Sequence, residues 1–111
     1  NKIHFLKLDV EGMEYHALLG ATKLLEDKNI DYIQMEYNQT WIQAGASIEK
    51  VLKLCNQYGY SLYRINKRSL DSIQRYNFSI EDFYFCNLLM VRNGLALPLR
   101  SKRAANPLVG E

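Results

Sequence analysis

The order of apolar patterns along this chain predicts an α/β domain: a mostly parallel sheet with a final antiparallel strand, and helices packed on it. Three observations carry that expectation. Runs rich in β-prone residues alternate with segments whose apolar residues recur at helical spacing. The first run is apolar on both of its faces, as in a strand covered from two sides. The last run follows a long polar stretch rather than a helix, so it is free to enter antiparallel.

Residues 3–10, IHFLKLDV, read as the first strand, apolar apart from His4 and Lys7. Gly12 supplies a turn, and residues 14–26 read as a helix with Leu18, Ala21 and Leu25 in one stripe, flanked by Tyr15 and Leu24. Gly20 inside it costs about 1 kcal/mol against alanine, which a close approach to the sheet would explain. Asp27-Lys28-Asn29 ends the helix with turn-prone residues. Residues 30–37 form a second strand, in which Ile33, Met35 and Tyr37 alternate with Tyr32, Gln34 and Glu36. A loop over residues 38–46 contains the only tryptophan, Trp41. Ser47 is a suitable N-cap for the next helix. Its apolar side is Ile48, Val51, Leu52, Cys55 and Tyr58, and Gly59 closes it. Residues 60–65 are a third strand. Residues 66–82 are polar and read as a long loop or irregular excursion. Residues 83–91 are a β-prone fourth strand. Beyond Asn93-Gly94 the chain turns small and irregular, and Pro98 and Pro107 argue against a terminal helix. The division expected is a domain over residues 1–93 and an irregular tail over 94–111.

A chain of 111 residues can bury one modest core. A net charge of +2 is too small to imply a nucleic-acid partner. The short cluster Arg100, Lys102 and Arg103 reads as a solvated tail. No apolar run approaches the ~20 residues that span a bilayer, so no membrane partner is expected. Cys55 and Cys86 sit in apolar segments without metal-like spacing, and read as reduced thiols of a cytoplasmic protein. The sequence starts at Asn1 and enters a strand by Ile3. That abrupt start is the reason to expect a fragment.

In open α/β sheets, ligands bind at the carboxyl ends of the strands. Asp9 and Glu11 end the first strand, and Glu36 and Asn38 end the second. On neighbouring strands these groups converge on one rim, where desolvating them is costly unless something cationic or hydrogen-bonding is bound. Structural uses compete with that reading. Glu11 or Glu14 could favour the positive end of the first helix, worth about 0.3–1 kcal/mol. Lys7 could pair with Asp9 or with Glu36. Asp9, Glu36 and Asn38 also offer three oxygen donors for Mg²⁺ or Ca²⁺, although a hydrogen-bonded set without metal is favoured. Trp41, just past Asn38, could offer an aromatic face to a sugar or planar acceptor. His4 and His16 lack partners for a triad and read as structural.

The stretch Phe5-Leu6-Lys7-Leu8-Asp9-Val10-Glu11-Gly12-Met13-Glu14, then Leu19-Gly20-Ala21 and Ile33-Gln34-Met35-Glu36-Tyr37-Asn38, resembles the C-terminal half of the FkbM family of methyltransferases. The resemblance covers about residues 3–91. It implies half of a Rossmann-like, class I methyltransferase sheet that uses S-adenosylmethionine, with methyl transfer to a hydroxyl of a sugar or other natural product. On that resemblance the first strand is the fourth of a seven-stranded sheet. Asp9, Val10 and Glu11 then lie at the cofactor, and Glu11, Tyr37, Asn38 and Trp41 at a small-molecule or glycan acceptor. Asp9, with Glu36 second, is expected to accept the hydroxyl proton or orient the hydroxyl. No Gly-x-Gly turn is present, since the six glycines are isolated. The cofactor-binding half is therefore expected upstream, the isolated chain is expected to be inactive, and its first strand is expected to leave an edge open to self-association. Two other readings stand beside this one: a metal-dependent hydrolase on a similar sheet, and a non-catalytic remnant that acts in chain association.

Overall fold

The computed structural model describes residues 2–98; the basic cluster at Arg100, Lys102 and Arg103, and Pro107, lie outside the described residues. Strand β1 is Ile3–Leu8, followed by helices α1 (Glu14–Gly20) and α2 (Thr22–Glu26). Strand β2 is Ile30–Tyr37, then come α3 (Thr40–Ala44) and α4 (Ile48–Tyr58). Strands β3 (Tyr60–Ile65) and β4 (Leu70–Ile73) precede a single 3₁₀ turn at Phe78–Ile80, and β5 is Cys86–Arg92.

Local chemistry explains most boundaries. In β2 the period-two pattern buries Ile33, Met35 and Tyr37 completely and leaves Tyr32, Gln34 and Glu36 half-buried. Helix α4 starts where Ser47 Oγ accepts the Lys50 N–H at 3.1 Å, and it ends at Gly59 in the left-handed conformation, φ 81°. The helix expected over residues 14–26 is two short pieces broken at Ala21. Gly20 is exposed at that break with open space around it, so the close approach to the sheet is absent.

The strand order is β1-β2-β5-β3-β4. Only β1 and β2 pair in parallel; β5 runs antiparallel to both β2 and β3, and β4 is antiparallel to β3. This corrects the mostly parallel sheet. The final antiparallel strand is present, but it inserts between β2 and β3 and so removes the parallel ladder those two would have made. Strand β4 lies inside the stretch read as loop. It forms where Asn66 N–H donates to Ser69 O at 2.9 Å and turns the chain back, burying Leu70 and Ile73.

All helical core residues belong to one cluster, with Leu18, Leu25, Trp41, Val51 and Cys55 packed on Ile33, Met35, Leu88 and Met90. Among the described residues the opposite face holds Leu70, Leu89 and Val91 as a small buried group, with Leu95 and Leu97 packed against it. Tyr32 Oη donates to Ala96 O at 2.6 Å and ties that segment down. Strand β1 is at the sheet edge and is covered from one side: Ile3, Leu6 and Leu8 meet the main core, while Phe5 is 52% exposed. The two-sided cover expected for it is not provided by the described residues.

Candidate functional site at the carboxyl ends of β1 and β2

The segment after β1 is a tight turn in which Met13 N–H donates to Val10 O at 3.2 Å. Both central residues are left-handed, Glu11 at φ 50° and Gly12 at φ 106°. Gly12 must be glycine twice over. Its φ disfavours a side chain, and a Cβ there would sit 3.0 Å from Thr40 Cβ. Glu11 has no such excuse, and a non-glycine residue here costs on the order of 1–2 kcal/mol. The brace is Glu14. Its buried carboxylate accepts the Val10 N–H and the Gly12 N–H, each at 3.0 Å, so one acid holds both ends of the strained turn. Glu14 also stands in the first turn of α1, where the helix-end explanation places it, so the two hydrogen bonds add a more local task.

Asp9 and Glu36 each follow directly on the paired residues Leu8 and Met35 of the two parallel strands. Neighbouring strands run about 4.8 Å apart, so the two acids share the carboxyl rim. Asp9 is exposed and Glu36 half-buried. Among the described residues neither side chain takes part in an ion pair, and exposed Lys7 pairs with neither. Val10 and Glu11 are exposed beside Asp9. Asn38 is at the same rim, but its Oδ1 already accepts Thr40 N–H at 2.9 Å and Thr40 Oγ1 at 2.5 Å. One of the three oxygens offered to a metal is therefore engaged. No group of three His, Cys, Asp or Glu residues suited to an ion occurs among the described residues.

Tyr37 and Trp41 are elsewhere. Both are fully buried, edge to face with ring centroids 4.9 Å apart, and Trp41 Nε1 donates to Glu36 O at 3.0 Å. Acceptor contact was expected of both, and their burial rules out direct stacking in this chain. The cause is α3: residues 40–44 coil instead of looping, and the turn rolls the indole inward. Cys55 is equally sealed, and burial pushes its thiol up to about 12, which removes it as a nucleophile.

Sequence reasoning missed Glu81. Its Oε2 accepts Tyr37 Oη and Ile48 N–H, both at 2.7 Å, and its Oε1 accepts Tyr76 Oη at 2.7 Å and Glu49 N–H at 3.3 Å. One carboxylate thus joins β2, the start of α4 and the stretch before β5. Burial, reinforced by the Glu81 hydrogen bond, pushes the Tyr37 hydroxyl well above its ordinary value, so it stays a neutral donor. Tyr37 Oη in turn accepts the Phe83 N–H at 3.0 Å. Tyr76 is five residues away, but Tyr37, Ile48 and Glu49 lie more than thirty residues from Glu81 in sequence, so no local spacing could have announced the junction.

A parallel strand pair with uncommitted acids at its carboxyl ends, backed by helices on one face, defines an α/β protein with a rim suited to a polar ligand. The family is more specific. A sequence profile described as Methyltransferase FkbM domain matches residues 1–62, more than half of the chain, and the chain belongs to that family of methyltransferases. No curated protein and no solved structure matches it.

Proposed function

We propose that this chain is the acceptor-side half of an S-adenosylmethionine-dependent methyltransferase that methylates a hydroxyl on a sugar or other natural product. The observation that carries the reading is the pair Asp9 and Glu36: rim acids at the ends of the two parallel strands, free of ion pairs among the described residues. Four of the five strands then correspond to the last four of the family's seven, with the last antiparallel. The rim fits the methyl end of the cofactor in charge, since a sulfonium cation is complementary to bare carboxylates, and exposed Val10 offers it an apolar neighbour. When bound, S-adenosylmethionine supplies an electrophilic methyl group.

The chain's own residues do the rest. Asp9 accepts the proton of the acceptor hydroxyl or holds that hydroxyl in line. Glu36 supports it from the neighbouring strand. The turn braced by Glu14 fixes where Asp9 sits. The remaining contacts to the cofactor come from a glycine-rich segment outside this sequence, which docks on the open edge of β1 and the face that shows Phe5 and Lys7. Without it the chain is inactive, and that edge is then the route to self-association. Free thiols at Cys55 and Cys86 fit a reducing, cytoplasmic setting. No helix among the described residues is long and apolar enough to cross a membrane.

The test is to express the full reading frame that contains this chain and incubate it with methyl-labelled S-adenosylmethionine and hydroxylated acceptors. Label transfer that falls in Asp9→Asn supports the reading. Absence of cofactor binding by the full gene product refutes it.

A further inference from the structure

The aromatic run before β5 is built in an unusual way. Phe83 is held at φ 57°, a conformation an aromatic residue rarely adopts. Three contacts hold it there. Its N–H donates to Tyr37 Oη at 3.0 Å, its ring stacks on Tyr37 with centroids 5.5 Å apart, and Asp82 Oδ1 accepts the next N–H, that of Tyr84, at 3.0 Å. Glu81 anchors the same stretch to β2 and α4. The result of this strained, fixed turn is that the next two rings face water: Tyr84 is 72% exposed and Phe85 63% exposed. Strain held by several contacts at once is a feature of binding sites rather than of plain connections.

Those rings line a cleft of about 390 Å³ together with Asn38, Gln39, Thr40 and Phe83. Thr40 also lines a second cleft of about 260 Å³, which includes Glu11, Gly12 and Met13. The two clefts thus meet at Thr40, one on the side of the turn beside Asp9 and the other on the side of the aromatic ledge. Among the described residues no lysine, arginine or histidine lines either cleft, and Glu11 is the one acid. The lining of the larger of these two clefts consists of aromatic faces, amides and a hydroxyl. A phosphorylated or carboxylated ligand would find no counter-charge among these described residues. A pyranose ring matches the lining, because its C–H faces stack on aromatic rings while its hydroxyls bond to amides.

We propose that Tyr84 and Phe85 are the stacking platform for an uncharged glycoside, with Asn38 and Gln39 bonding its hydroxyls. That this glycoside is the methyl acceptor rests on the methyltransferase reading; that the cleft binds it does not. Asn38 suits the task because Thr40 occupies its Oδ1 and so directs its amide N–H groups outward as donors.

Titration of the chain with methyl β-D-glucopyranoside, methyl α-L-rhamnopyranoside and N-acetylglucosamine, followed by amide NMR shifts, tests the platform without any cofactor. The expected result is that at least one of them shifts the Asn38 and Gln39 signals, while glucose 6-phosphate does not. Affinity should drop about tenfold or more in the Tyr84→Ala/Phe85→Ala double variant. It should persist in Tyr84→Phe, which keeps the ring, and in Phe78→Ala, an 82% exposed aromatic outside the cleft. Failure of all three pyranosides to shift these signals overturns the proposal, as does equal binding by the double variant. The two readings separate cleanly. Glycoside binding by a full gene product that never binds S-adenosylmethionine keeps the platform and removes the methyltransferase function. Methyl transfer with an unchanged KM in the double variant does the reverse.

Discussion

The two ends of the sheet treat their acids in opposite ways. At the amino end, Asp31 is buried and saturated: Lys2 Nζ and Arg92 Nε reach its Oδ1, each at 3.0 Å, and His4 Nδ1 lies 3.1 Å from Oδ2. At the carboxyl end, Asp9 is exposed, Glu36 is half-buried, and neither has an ion partner among the described residues. Carboxylates with a structural task in this molecule are met by two or more donors, as Glu14, Asp31 and Glu81 all are. Asp9 and Glu36 lack such donors, and on the reading proposed above a ligand arriving from outside would supply them.

The largest effect expected from this contrast is catalytic. In the full gene product, Asp9→Asn should lower turnover about 10²–10⁴-fold, the range for loss of a positioned acid–base group. The thermal midpoint should stay where it was, because no partner is lost. Asp31→Asn should do the opposite, lowering the midpoint and sparing turnover. A fall in stability for Asp9→Asn would erase the distinction between the two ends.

Trp41→Ala comes next. A fully buried indole replaced by alanine costs about 3–5 kcal/mol, read as a shift in the denaturant midpoint. Were the indole an acceptor contact, KM would rise while stability held, so one variant measured both ways separates core from site. Glu81→Gln is milder. The amide keeps one acceptor oxygen where the carboxylate had two, and leaves a buried tyrosine hydroxyl or the first turn of α4 short of a partner. About 1–3 kcal/mol is expected. It should also loosen the Phe83 turn, visible as lost amide-exchange protection at Phe83. Unaltered protection there would detach Glu81 from the aromatic ledge.

What was legible in the sequence was local. Strand β2, with its strict alternation, and helix α4, with Ser47 and Gly59 at its ends, have the bounds that period and capping predict. The positions of the rim acids were legible only approximately, because the first strand, expected to reach Val10, ends at Leu8 and leaves Asp9 and Glu11 just beyond it, while Glu36 is inside β2. What failed to show was decided across distance. Strand β4 is only four residues long and exists because β3 offers it an edge. The sheet is mixed because β5 finds its place between two strands it does not follow in sequence. Trp41 looked available because five residues of α3 give too little pattern to reveal a helix. Glu81 looked like one more polar loop residue.

The smallest effect is also the sharpest test of the saturated end. The Lys2 hydrogen bond, with those of His4 and Arg92 added, holds the Asp31 carboxyl at about 2 against an ordinary value of 3.8, while burial opposes the shift. A carboxyl depressed by folding favours the native state in its charged form, so its contribution is complete above the unfolded value and disappears as pH falls through the folded one. The denaturant midpoint of the parent should therefore exceed that of Asp31→Asn by a constant margin at neutral pH. The margin should narrow below about pH 4 and close near pH 2. Salt should narrow it as well, since the Lys2 and His4 partners are open to solvent. A margin that survives at pH 2 would mean that Asp31 matters for its shape and hydrogen bonds rather than its charge. The contrast between the two ends would then be one of packing, and bareness at Asp9 and Glu36 would lose its value as a sign of the reaction rim.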